Sequence, residues 1–173
     1  PTVGMNRSFL LNTYFPFFNA FFAELGFRLT LPAAQDPRGA DQQGSSFCYP
    51  VEIAHNYIAA LITEKPDYIF LPQLKGFDLG EKDKTSCTCV LESKNVIYQV
   101  LDFAKGYTAD RAAIRDLAQQ FGMDVAKADA ALQAAIAAQD AFTEDMRAMV
   151  KQALADLEQH PDRFGVVVFG RPY

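Results

Sequence analysis

The chain has 173 residues, of which 50% are apolar and 21% charged, with a net charge of −5. That length suits one domain with a core of its own, and the balance is that of a soluble globular protein. The acidic excess leaves no electrostatic footprint for nucleic acid and disfavours an anionic membrane surface.

In chain order, TVGM (2–5) opens as a short strand. Residues 9–27, FLLNTYFPFFNAFFAELGF, are the one stretch apolar enough to raise a membrane span. Asn12, Pro16, Asn19 and Glu24 interrupt it and no basic region precedes it. The expectation is therefore a buried helix over 14–25 in a cytoplasmic protein. Phe15, Phe18, Phe22 and Leu25 fall on one side of that helix and Phe17 and Phe21 on another, so more than one face is covered. Gly26 ends it as a C-cap.

FRLTLP (27–32) is a second strand, and AAQDPRGADQQGSS a polar loop rich in turn residues. Pro50 fits the first position of a helix that runs to about Glu64, with Ile53, Tyr57, Ala60 and Leu61 at helical spacing. DYIFLP (67–72) is a continuous apolar run of the kind buried in a parallel sheet. Residues 73–86 form a second polar loop, and an amphipathic helix is expected over roughly 93–105. The order β-α-β-α-β-loop-α argues for an α/β fold, a Rossmann-like layered parallel sheet. Ligands of such sheets gather at the carboxyl ends of the strands.

Residues 108–160 read as a helical segment: one helix closed by Gly122, then an Ala-rich one capped by Asp124. On the second, Leu132, Ile136, Phe142, Met146, Val150, Leu154 and Leu157 trace a stripe near the helical period. At about 35 residues it far exceeds the roughly 12-residue average, as a helix spanning two lobes or lying along a partner does. RFGVVVFGRPY then reads as a strand on which the chain stops. The expected organisation is a Rossmann-like lobe over 1–107, a helical segment over 108–160, and the first strand of a missing second lobe over 161–173.

Three cysteines do not make a disulfide framework, and Cys87 and Cys89 stand too close for an ordinary bridge. Cys48 precedes Tyr49-Pro50 at the mouth of a helix, where the first turn favours a thiolate. Three thiolates can hold an iron–sulfur cluster with one iron open, so Cys48, Cys87 and Cys89 are candidate ligands. The spacing matches no strict zinc or ferredoxin pattern, and unreactive thiols are the competing reading. His55 lies two helical turns after Cys48 on the same face, a candidate catalytic proton donor or simply a satisfied structural histidine. His160 reads as a helix-end residue. No phosphate-binding loop and no Ser-His-Asp arrangement is legible, so nucleotide hydrolysis is not expected of this chain itself.

The segments NTYFPFFNAFFAELGF, CYPVEIAHNYI, DYIFLP, AQDAFTEDM and VVVFGRPY, with the region of Cys89, occur in this order over nearly the whole chain. Together they resemble the uncharacterised domain of activase-related proteins in the 2-hydroxyacyl-CoA dehydratase and benzoyl-CoA reductase systems. The resemblance implies two Rossmann-like lobes with a cysteine-ligated four-iron four-sulfur cluster between them. It implies ATP-driven, low-potential electron transfer to CoA-ester chemistry in anaerobes, with ATP handled by sugar-kinase-like domains elsewhere. The implied partners are those ATPase activase domains and a CoA-ester dehydratase or reductase, with no nucleic acid and no membrane. Cys48 matches the family's Cys-Tyr-Pro cysteine, His55 its following histidine, and Cys89 a later cysteine whose usual proline is Val90 here. Cys87 has no expected counterpart. The function expected is an iron–sulfur electron-transfer or activase-associated module; the alternative is a non-catalytic scaffold that docks ATPase domains.

Overall fold

The structure, a computed structural model, describes residues 1–41, 48–77 and 95–170, with only the backbone of 76–77. Among the described residues, four parallel strands form one sheet: β1 (Thr2–Met5), β2 (Arg28–Thr30), β3 (Tyr68–Phe77) and β4 (Val96–Phe103), in the order β2-β1-β3-β4. The helices are α1 (Phe15–Glu24), α2 (Arg38–Asp41), α3 (Tyr49–Glu64), α4 (Arg111–Gln120) and α5 (Val125–Gln159). Short 3-10 turns stand at Phe9–Leu11 and Tyr107–Asp110. The α/β layered sheet expected from the sequence is present, with α1, α4 and α5 on one face and α3 on the other.

The two faces follow from alternation along the strands. Val3, Met5, Phe70, Leu74, Leu101 and Phe103 point to the larger core, where they meet α1, α4 and the first half of α5. Ile69 and Leu71 point the other way, to Ile58 and Leu61 of α3. Phe17, Phe18, Phe21 and Phe22 of α1 are all fully buried, because the sheet covers one side of this helix and α5 another. Their rings meet others edge-on or tilted, Phe22 lying 5.1 Å from Phe70 and 5.4 Å from Phe121 between ring centres. Such pairs add to the stabilisation that area burial already provides.

Gly4 leaves room on β1 for α3, since a Cβ there would lie 2.8 Å from both Leu61 and Pro66. At the amino ends of the strands, the Thr2 N–H donates to Asp67 Oδ2 at 2.7 Å and the Asp67 N–H to Thr2 Oγ1 at 3.1 Å. That exchange clips the start of β1 to the start of β3.

One expectation fails clearly. Of the amphipathic helix expected over roughly 93–105, the described residues form none; 96–103 are strand β4, paired parallel to β3 from Ile69↔Val96 to Phe77↔Phe103. The run VIYQVLDF is rich in β-branched and aromatic residues, and its buried positions Leu101 and Phe103 are two apart. Boundaries also move: β2 covers only 28–30, β3 continues to Phe77, and Pro50 is the second residue of α3 instead of the first. Within the loop expected at 33–46, Arg38–Asp41 form one helical turn.

The other helix signals hold. Asp124 caps α5 by accepting from the Lys127 N–H at 2.8 Å, and α5 is 35 residues long. Gly122 takes the left-handed conformation (φ 76°) that closes α4. The buried part of α5 ends at Gln139. Of the expected stripe, only Leu132 is buried, while Met146, Val150 and Leu154 are exposed. Residues 163–170 make no strand pairing among the described residues, and Phe164 and Val166–Phe169 are at least 74% exposed.

Candidate functional site

Helix directions place the candidate residues. In a parallel sheet each connecting helix runs back against the strands, so the first turns of α1 and α3 rise at the carboxyl rim. The strand order switches there: β1 is followed on one side by β2, and the chain then crosses to β3 on the other side. The crevice between β1 and β3 is the topological switch point, where open α/β sheets bind ligands.

Cys48 stands on this rim. It is the N-cap of α3, in extended conformation (φ −155°, ψ 143°), and its thiol is free and exposed. The backbone carbonyl of Cys48 accepts from the Val51 N–H at 3.1 Å and the Glu52 N–H at 3.3 Å, while its side chain makes no capping bond. Pro50 has no N–H to offer. The mouth of α3 thus directs fewer donors outward than a helix start ordinarily leaves free, and Glu52 adds a negative charge to that turn. The thiol is accessible to a metal or a partner, and the polar help around it is modest.

His55 is half-buried further along α3, about 10 Å from Cys48 along the axis. Its backbone lies directly beneath Gly39 of α2, where a Cβ would overlap the His55 carbonyl. Cys87 and Cys89 lie outside the described residues. Among the described residues, no group of three His, Cys, Asp or Glu stands close enough to hold a metal ion. Cys48 is therefore the only expected ligand whose position is described, and its soft, exposed sulfur suits an iron–sulfur cluster.

Sequence reasoning missed the segment that leaves β1. Asn6 and Ser8, each 4% exposed, follow the strand directly. The Asn6 amide N–H donates to the Ala54 carbonyl of α3 at 3.5 Å, which turns its side chain toward that helix. Asn6 Oδ1 and Ser8 Oγ are buried with no hydrogen-bond partner. Phe9 comes next with φ 54°, a conformation that costs a bulky residue about 1–3 kcal/mol. The available signal was a pair of small polar residues immediately after a buried strand, in the first βα connection.

The far side of the rim is acidic and aromatic. Tyr14, Phe17, Phe103 and Tyr107 cluster with ring centres 5.0–6.4 Å apart. Burial, and then the charge of Asp140, push the pKa of the Tyr107 phenol above its ordinary value, disfavouring the phenolate. Asp110 accepts from the Asp102 N–H at 2.7 Å, yet burial and the neighbouring Asp102 charge raise its carboxyl above the ordinary range.

Gln139 fixes α5 against this rim. Its amide N–H donates to the Thr13 carbonyl at 3.1 Å, and its carbonyl accepts from the Phe17 N–H at 3.3 Å. At the other end of the packed half, Lys127 pairs with Glu24 at 2.9 Å. These contacts make α5 antiparallel to α1, so the exposed half of α5 stands beyond the carboxyl rim, on the side where Cys48 lies. It carries Met146, Met149, Val150 and Leu154 exposed, and a shallow groove lined by Ala148, Met149, Gln152, Ala153 and Asp156.

No described helix is long and apolar enough to cross a membrane. Comparison with curated proteins and with solved structures finds no match. The profile of one family, described as the CoA enzyme activase uncharacterised domain, matches residues 2–173. The layered sheet and the match along the whole chain agree: the chain belongs to the CoA enzyme activase uncharacterised-domain family.

Proposed function

We propose that this domain is an iron–sulfur electron-transfer module of a CoA-enzyme activase system. Cys48, Cys89 and Cys87 would hold the cluster, and ATP would be bound and hydrolysed by other domains. The observation that supports this most directly is the exposed Cys48 thiol at the carboxyl rim, where this fold class receives ligands. A four-iron four-sulfur cluster held by three thiolates supplies a low-potential electron and an open iron position. The protein's own contribution would be to present Cys48 at the start of α3 on the carboxyl rim. Residues 161–173 would begin a second lobe that closes over this rim, and the partner would be a CoA-ester dehydratase or reductase.

A second reading is favoured by the free half of α5. Its exposed Met146, Met149, Val150 and Leu154, with the apolar tail from Phe164 to Phe169, suit a scaffold that docks ATPase domains. In that reading the cysteines are incidental.

Iron and sulfide analysis after anaerobic reconstitution, with a visible spectrum, separates the two. The cluster reading expects broad absorption near roughly 400 nm and stoichiometric iron that is lost in Cys48→Ser and Cys89→Ser. Because Cys48 is exposed and its side chain caps nothing, Cys48→Ser should keep its melting temperature. A colourless protein, or iron unchanged by both substitutions, sinks the cluster reading and leaves the scaffold.

A further inference from the structure

We infer that the segment leaving β1 is a ligand subsite, with Asn6 and Ser8 as its floor, for an uncharged group of the secondary-amide type. Buried polar groups are almost always hydrogen-bonded, and each orphan costs about 1–3 kcal/mol. Here two orphans, Asn6 Oδ1 and Ser8 Oγ, occur within three residues, at the switch point of the sheet. The strained Phe9 follows at once.

The chemistry of the occupant follows from what the orphans lack. One amide N–H of Asn6 is engaged by Ala54 and the atom left without a partner is the acceptor Oδ1, so a ligand that satisfies it must donate to it. The Ser8 hydroxyl can donate or accept, so it can meet the acceptor of the same ligand group. An amide N–H and C=O satisfy both from neighbouring atoms. An oxyanion would not: the Asn6 carbonyl repels it, Glu52 stands in the first turn of α3, and the Cys48 carbonyl already engages two N–H groups of that turn. This subsite stands on Asn6 and Ser8 alone and does not depend on a cluster at Cys48.

The test is an NMR titration of the ¹⁵N-labelled chain with N-methylacetamide, and separately with inorganic phosphate. N-methylacetamide should give saturable shifts confined to the amides of Asn6 to Phe9 and the Asn6 side chain. Asn6→Leu and Ser8→Ala should each weaken that binding about tenfold or more, the loss of one hydrogen bond. Ser8→Ala should melt at or above the temperature of the parent, since it removes only a polar atom that is unsatisfied without ligand, whereas Asn6→Leu also gives up the bond to Ala54. Ser8→Ala removes no bond and keeps the test open if Asn6→Leu folds poorly. Shifts that never saturate, binding unchanged in Ser8→Ala, or phosphate saturating the same amides would each overturn the proposal.

Discussion

Thr2 and Asp67 show how far a single carboxylate reaches. The Thr2 backbone N–H and then its hydroxyl, both donating to Asp67, hold that carboxyl below the usual range. A carboxyl depressed in the folded state adds stability that is complete above its unfolded value of about 3.9. That contribution disappears as pH falls through the lower, folded value. Asp67→Asn should therefore melt below the parent at pH 7, and the gap should close as melts are repeated toward pH 2. A constant gap across that range would show that the carboxylate charge is not what Thr2 recognises. Asp110 has the opposite sign, because burial raises it: its ionisation opposes folding at neutral pH and that penalty lifts as it protonates.

Two contacts between elements carry more than their size suggests. Gln139 satisfies the Phe17 N–H and the Thr13 carbonyl at once, so Gln139→Leu leaves both without this partner. A loss of about 1–3 kcal/mol in urea unfolding is expected. Gly39 lets α2 lie against the backbone of α3, and Gly39→Ala should cost about 1–3 kcal/mol by forcing the two apart. A melting temperature equal to the parent's would mean that α2 docks elsewhere in solution.

Elements were legible in the sequence where a cap agreed with a period. Asp124 and Gly122 located the ends of α5 and α4, and the phenylalanines of α1 announced their own burial. Strand β4 was misread because Val96, Ile97, Val100 and Leu101 also sit three and four apart, so the same letters fit a helical stripe. Chain-distant pairing with β3 decided the matter, and no local pattern contains it. The site divides similarly: Cys48 was visible as a cysteine before Tyr-Pro, whereas Asn6 and Ser8 matter only because burial denies them partners.

At the scale of the whole molecule, the boundary of the core runs across α5. Leu132→Ala, within the packed half, should destabilise by about 2–5 kcal/mol. Leu154→Ala, in the exposed half, should change stability by less than about 0.5 kcal/mol. Equal costs at the two positions, read in one set of denaturation curves, would mean that the outer half is covered in solution. The same boundary gives α5 the mechanics of a cantilever. It is clamped between Lys127 and Gln139, and some 30 Å of helix stands clear beyond the clamp. A tilt of roughly 10° at the clamp would carry the free end about 5 Å, with the exposed tail attached to it. Small repacking around Phe17 and Tyr107 would therefore be felt as a large displacement where the next element is held.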